Sequence, residues 1–163
     1  MRKHMNRIVS VALLVFLSAM IASAAEPPAV GSKQVVTLAG ARAVAAAAEA
    51  EARKQNAAVV IAVVDDGGAL VLLERLDGTQ IASSEVAVGK ARTAAIFRRP
   101  SAVFEEQIRS GRAAALALPG ATPLQGGLPL IVDGQVVGAI GVSGETPKQD
   151  EDIARAGVAA IAQ

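Results

Sequence analysis

The chain has 163 residues, 52% of them hydrophobic and 19% charged, with a net charge of +1. That length suits one ordinary domain, the apolar fraction excludes intrinsic disorder, and the near-neutral balance supplies no field of the kind that gathers nucleic acid. The absence of Cys, Trp and Tyr removes disulfide frameworks, thiol nucleophiles, iron–sulfur clusters and the usual base-stacking platforms.

Met1 to Arg7 carries Arg2, Lys3 and Arg7, and Ile8 to Ala25 is uncharged. Ala22-Ser23-Ala24 then forms a small-x-small site, followed by Ala25-Glu26-Pro27-Pro28. A basic start, an apolar middle and a small-residue end predict a secretory signal peptide over residues 1–25. The exported form would then be periplasmic or secreted, with no membrane attachment after cleavage. The alternative is an uncleaved anchor, since eighteen uncharged residues reach the lower limit for a span.

Without that segment the inventory changes. His4, Met1, Met5 and Met20 all lie inside it, so residues 26–163 hold no His, Met, Cys, Trp or Tyr. Removing Arg2, Lys3 and Arg7 leaves 13 basic against 15 acidic residues. A nucleic-acid role loses its last support. No Ser-His-Asp triad, His or Cys zinc site, or ordinary His, Met, Cys or Tyr haem ligand can form. Acid–base work falls to Asp, Glu, Lys or Arg, and a carboxylate site for a hard cation stays open.

Residues 26–35, with Pro27, Pro28, Gly31 and Ser32, read as a flexible leader, and the domain is expected over 36–163. Thr37 is the N-cap of an alanine-rich helix that ends at Asn56. Ala58–Asp65 reads as a strand buried on both faces. Asp65-Asp66-Gly67-Gly68 turns it into a hairpin with Ala69–Leu76. Gln80 to Phe97 is a second helix, with Ser83 and Ser84 as possible caps, closed by Arg98-Arg99-Pro100. Ser101 caps a shorter helix with Glu105 on its polar face, and Leu118 to Gly127 is loop. Leu128–Val132, Asp133-Gly134 and Gln135–Ser143 make a second hairpin. Thr146, Pro147 and Gln149 open a last helix with a capping box. Asp150, Glu151 and Asp152 favour its positive end, and Ile153, Ala154, Gly157, Val158 and Ile161 form its apolar stripe. The order predicts an α+β fold with an antiparallel sheet of four to five strands packed with helices.

Two segments carry a resemblance. Ser84 to Arg99, SEVAVGKARTAAIFRR, is one. The other runs from Leu118 to Asp152 through LPG, GGLPLIVDGQVVGAIGVSG and QDED. Together they resemble the GlcG/HbpS-like family, related to the C-terminal domain of PduO proteins, over roughly Val36 to Ala162. The resemblance implies a profilin-like α/β/α sandwich and assembly into tetramers or octamers. It also implies export and haem or corrinoid binding for some members, and a place beside small hydroxy-acid catabolism for others. One departure stands out: Glu145 replaces the glycine usual after the Ser-Gly pair.

Several residues are candidates for a ligand site. Lys90, Arg92 and Thr93 lie on an otherwise apolar helix and suit a ligand carboxylate such as a porphyrin propionate. The plainer reading is an intersubunit salt bridge, to Glu85 or Asp65 for instance. Gly126, Gly127 and Pro129 could line a loop that a ligand approaches closely, or simply begin a strand tightly. Gly138, Gly141 and Gly144 could expose backbone to a ligand, a second chain or a helix. Ser143 is no nucleophile, because Gly-x-Ser-x-Gly is incomplete and no histidine follows. Gly89-Lys90 is no P-loop, since Ser84 stands where the earlier glycine belongs. Asp65, Asp66, Asp77, Glu145 and Asp150 are the carboxylates available to a cation.

The leading expectation is an exported homo-oligomer that binds a small molecule, with haem or a related tetrapyrrole as the class the resemblance implies. Thr93 or Thr122 would be a weak oxygen ligand. No catalytic or metal-binding residue is assigned. The alternatives are an enzyme of small hydroxy- or keto-acid chemistry, with Lys90 as base, Arg92 as clamp and Glu145 as acid, and an assembly protein without a pocket.

Overall fold

The computed structural model describes residues 29–161. The expected signal segment and the first residues of the leader lie outside them. Residues from Lys33 onward form one compact unit. That unit begins before the expected boundary at Val36. Lys33 pairs with Asp66 at 2.8 Å, and the Val36 N–H donates to the Val137 carbonyl at 2.7 Å.

The first helix, α1 (Leu38–Lys54), starts where the Thr37 hydroxyl accepts the Gly40 N–H at 3.1 Å. Its alanines settle into one buried stripe, Ala41, Val44, Ala45, Ala48 and Ala52, so small side chains set how closely it packs. Asn56 then takes a left-handed φ of 51°, as expected for a residue closing a helix.

Two antiparallel hairpins follow the predicted pattern. In the first, β1 (Val60–Asp65) pairs with β2 (Leu70–Arg75). Its turn is held by Asp65 Oδ1, which accepts the N–H groups of Gly67 at 2.9 Å and Ala69 at 2.8 Å. In the second, β3 (Gly127–Val132) pairs with β4 (Gln135–Ser143). Asp133 and Gly134 have φ of 49° and 75°, the positive pair that a two-residue hairpin turn requires.

The sheet order is β2-β1-β4-β3. The two hairpins meet through β1 and β4, antiparallel from Val60 opposite Ser143 to Asp65 opposite Gly138. These two central strands are therefore covered on both faces, the physical reason for the unbroken aliphatic run in β1. One face, with Ile61, Val63, Leu130, Ile140 and Val142, packs under α1 and α4 (Pro147–Ala159). The other, with Val60, Ala62, Val64 and Ala139, packs under α2 (Ser83–Ile96). The fold is the expected α+β sandwich of three layers.

Helix ends follow the sequence less closely. Neither Ser83 nor Ser84 caps α2, and the Ser83 hydroxyl is buried without a partner. Ser101 precedes α3 (Ala102–Arg109) but gives no side-chain cap. Its hydroxyl instead donates to the Leu124 carbonyl at 2.5 Å and accepts the Gly127 N–H at 2.9 Å. A short 3-10 helix, Ala113–Ala117, follows. On α4, Thr146 accepts the Gln149 N–H at 3.3 Å as expected. Glu151, expected only to favour the positive end of the helix, is buried, with one oxygen paired to Arg155.

Candidate functional site: the outer face of the second helix

Three expected ligand residues, Lys90, Arg92 and Thr93, sit on α2 but do not converge. Residues of an α-helix diverge by about 100° each. Lys90 and Thr93 are buried and Arg92 is exposed. Adjacency in sequence overstated their adjacency in space.

Lys90 is 3% exposed. Its ammonium donates to Asp150 Oδ2 at 2.7 Å and to the Val142 carbonyl at 2.9 Å. The other carboxylate oxygen of Asp150 accepts the Glu145 N–H at 3.0 Å. Burial pushes the Asp150 carboxyl above its ordinary range, and the Lys90 hydrogen bond and charge act against that rise. The pair joins α2 to the start of α4 past the end of β4. Lys90 is therefore a latch inside the fold. It is available neither to a propionate nor as a catalytic base, which corrects both expectations.

Thr93 is equally committed. Its hydroxyl donates to the Gly89 carbonyl at 2.8 Å and accepts the Thr122 N–H at 2.7 Å. The expected glycine loop is filled by the protein itself. A Cβ at Gly127 would overlap the Lys90 carbonyl, and one at Gly126 would lie 3.0 Å from Lys90 Nζ and 2.8 Å from the Val142 carbonyl. Neither position leaves room for a ligand. Gly141 belongs to the same packing, since a Cβ there would overlap the Ala87 carbonyl and approach the Ala91 amide at 2.5 Å. Bare backbone on the sheet thus admits α2. Pro129 stands half-buried in β3, at the edge of the sheet, where a residue without an N–H fits.

The carboxylates are dispersed. Asp65 holds its turn, Asp66 holds Lys33 and Asp150 holds Lys90. Glu145 Oε1 accepts the Ala58 N–H at 3.0 Å, so this residue ties the start of β1 and is no acid beside Lys90. Among the described residues, no group of three His, Cys, Asp or Glu could hold a metal ion.

Arg92 alone of the expected cations remains at the surface. Its stem crosses Gly68, where a Cβ would lie 2.8 Å from Arg92 Cγ and 3.2 Å from Ile96. Gly120 sits beside Ile96 and the Arg92 Nε. Thr122 leans over Gly89 so closely that a Cβ there would overlap its hydroxyl. Gly68 and Gly120 thus flank Arg92 and Ile96, and Thr122 covers Gly89. Sequence reasoning had Arg92 and Thr122 and missed Gly68, Gly120 and Ile96. The helical spacing of Arg92 and Ile96 was a readable signal, whereas the two turn glycines come from distant segments. Two surface clefts of about 310 and 320 Å³ lie elsewhere. One is lined by Arg53, Asn56, Leu76 and Asp77, the other by Val35, Thr37, Val132 and Ile161. The first includes Asp77, one of the carboxylates considered for a cation, and neither includes Lys90, Arg92, Thr93 or the Gly126–Pro129 loop.

Comparison with known proteins agrees with the architecture. The family described as "haem degrading protein HbpS-like" matches residues 36–159. Protein GlcG of Escherichia coli K12 is 44% identical over 77 residues, which cover 47% of this chain and 58% of GlcG. The match thus spans less than two thirds of that relative. A double variant of Streptomyces reticuli HbpS superposes with a TM-score of 0.78 at 32% identity, covering 86% of this chain and 96% of that one. The structure of a PduOC:haem complex gives a TM-score of 0.71 at 26% identity, covering 79% and 99%. On its fold, its sequence and the length of the match, this chain belongs to the HbpS-like family.

Proposed function

We propose that this protein is an exported, oligomeric small-molecule-binding protein whose ligand is haem or a related tetrapyrrole, held on the surface around Arg92. The observation that carries this reading is Arg92 itself, an exposed cation on α2 that lies with Ile96 between Gly68 and Gly120. An exposed cation beside an exposed isoleucine suits a hydrophobic ligand that bears a carboxylate. The likeness to a PduOC solved with haem supports the ligand class. The basic, apolar and small-residue order of residues 1–25 supports export.

Residues 26–163 contain none of the usual axial haem ligands, so affinity is modest and a bound haem is high-spin. Thr122, half-buried beside Gly89, carries the remaining candidate oxygen. A visible-range haem titration of the exported form tests the reading. The expected result is a saturable Soret shift, weakened roughly fivefold by Arg92→Ala, as for one exposed ion pair. A spectrum indistinguishable from free haem at every protein concentration overturns it.

A further inference from the structure

The outer stripe of α2 has an unusual symmetry. Ile81, Glu85, Arg92 and Ile96 are all exposed, and Val88 and Gly89 between them are half-buried. Ile81 precedes the helix but continues its turn, because the Ser84 N–H donates to the Ile81 carbonyl at 3.3 Å. It is 80% exposed, and Ile96 is 36% exposed. Read in either direction from the midpoint between Val88 and Gly89, the stripe meets a charge and then an isoleucine. The two charges have opposite sign.

Glu85 and Arg92 are two turns apart, about 10.5 Å along the axis, too far to pair with each other. Among the described residues neither belongs to any ion pair. A two-fold contact uses the same patch on both copies, so residue i meets residue j and j meets i. A two-fold axis between Val88 and Gly89, normal to the helix, would set Glu85 of each copy against Arg92 of the other. The same axis would set Ile81 of each against Ile96 of the other. Thr122 covers Gly89, so the contact would be carried by the longer side chains of the stripe, Glu85, Arg92, Ile81 and Ile96.

We propose that the outer face of α2 is a two-fold contact between copies of this chain, closed by two Glu85–Arg92 pairs and two Ile81–Ile96 contacts. The occupant is a second copy because the patch is complementary to itself in both charge and apolar surface. The contact claims the guanidinium that the haem reading gives to the ligand, so the two occupants exclude each other. The contact itself does not depend on that reading.

Charge reversal with sedimentation velocity, in the absence of haem, tests the contact. Glu85→Arg and Arg92→Glu each turn two attractions into two repulsions, and each should halve the assembly mass or weaken association by about tenfold or more. Two rescues are expected. The double variant Glu85→Arg/Arg92→Glu restores assembly, and so does an equimolar mixture of the two single variants, whose mixed pairs are again opposite in sign. Both positions are exposed, so circular dichroism should report an unchanged fold for every variant. A wild-type monomer, single variants with unchanged mass, or reversal without rescue in either form overturns the proposal.

Discussion

The Lys90–Asp150 pair gives the sharpest test of the fold's interior. Both side chains are almost wholly buried, at 4% and 3% exposure, and 2.7 Å apart. Removing one partner leaves the other in a low-dielectric site, at about 3–5 kcal/mol. The two single variants should not cost the same. In Lys90→Met, Asp150 can take up a proton and still accept the Glu145 N–H, so the loss lies near the lower figure. In Asp150→Leu, an unpaired ammonium remains and the Glu145 N–H loses its acceptor, so the loss lies near the upper figure or beyond. For a domain of this size the melting temperature falls by about 10–20 °C. The double variant Lys90→Met/Asp150→Leu removes both charges and should return to within about 2 kcal/mol of the wild type. Urea unfolding followed by far-ultraviolet circular dichroism measures all four corners of the cycle. Single variants whose losses simply add in the double would refute the coupling. The pH dependence has a definite sign. The folded Asp150 carboxyl is raised by burial, so the native state holds its proton over a range where the unfolded chain has released it. Stability from this group is greatest below the ordinary aspartate range and declines as pH rises through the folded value. In Lys90→Met the opposing cause is gone, so that decline extends to higher pH and the deficit is smaller at pH 4 than at pH 7.

Gly141→Ala should destabilise by about 3 kcal/mol or more, because its Cβ meets the Ala87 carbonyl and the Ala91 amide, and backbone cannot yield as a side chain does. The same unfolding experiment checks it, and a loss below 1 kcal/mol would mean that α2 lies higher on the sheet. Haem and self-association should compete, since one guanidinium serves both. Sedimentation followed at the Soret band should place bound haem on the smaller species. Assembly mass unchanged at saturating haem would show separate surfaces.

Local chemistry was legible where a few adjacent residues decide the outcome. Asp133-Gly134 announced a two-residue turn, Thr146-Pro147 announced the start of α4, and the aliphatic run of β1 announced a strand covered on both faces. The capping roles expected of Ser83 and Ser101 were misread: the Ser83 hydroxyl is buried without a partner, and that of Ser101 turned to the loop at Leu124 and Gly127. The candidate site was misread for a related reason. Lys90, Arg92 and Thr93 are close in sequence, but a helix sends them in different directions. What the sequence determined by itself was the set of elements, the two hairpins and the chemistry that residues 26–163 lack. What only the tertiary structure decided was pairing across distance: β1 with β4, Lys90 with Asp150 sixty residues away, and Gly127 and Gly141 against α2. Those choices depend on which surfaces meet once loops close, and no local propensity encodes them. They turned the expected ligand cluster into packing and left Arg92 outside.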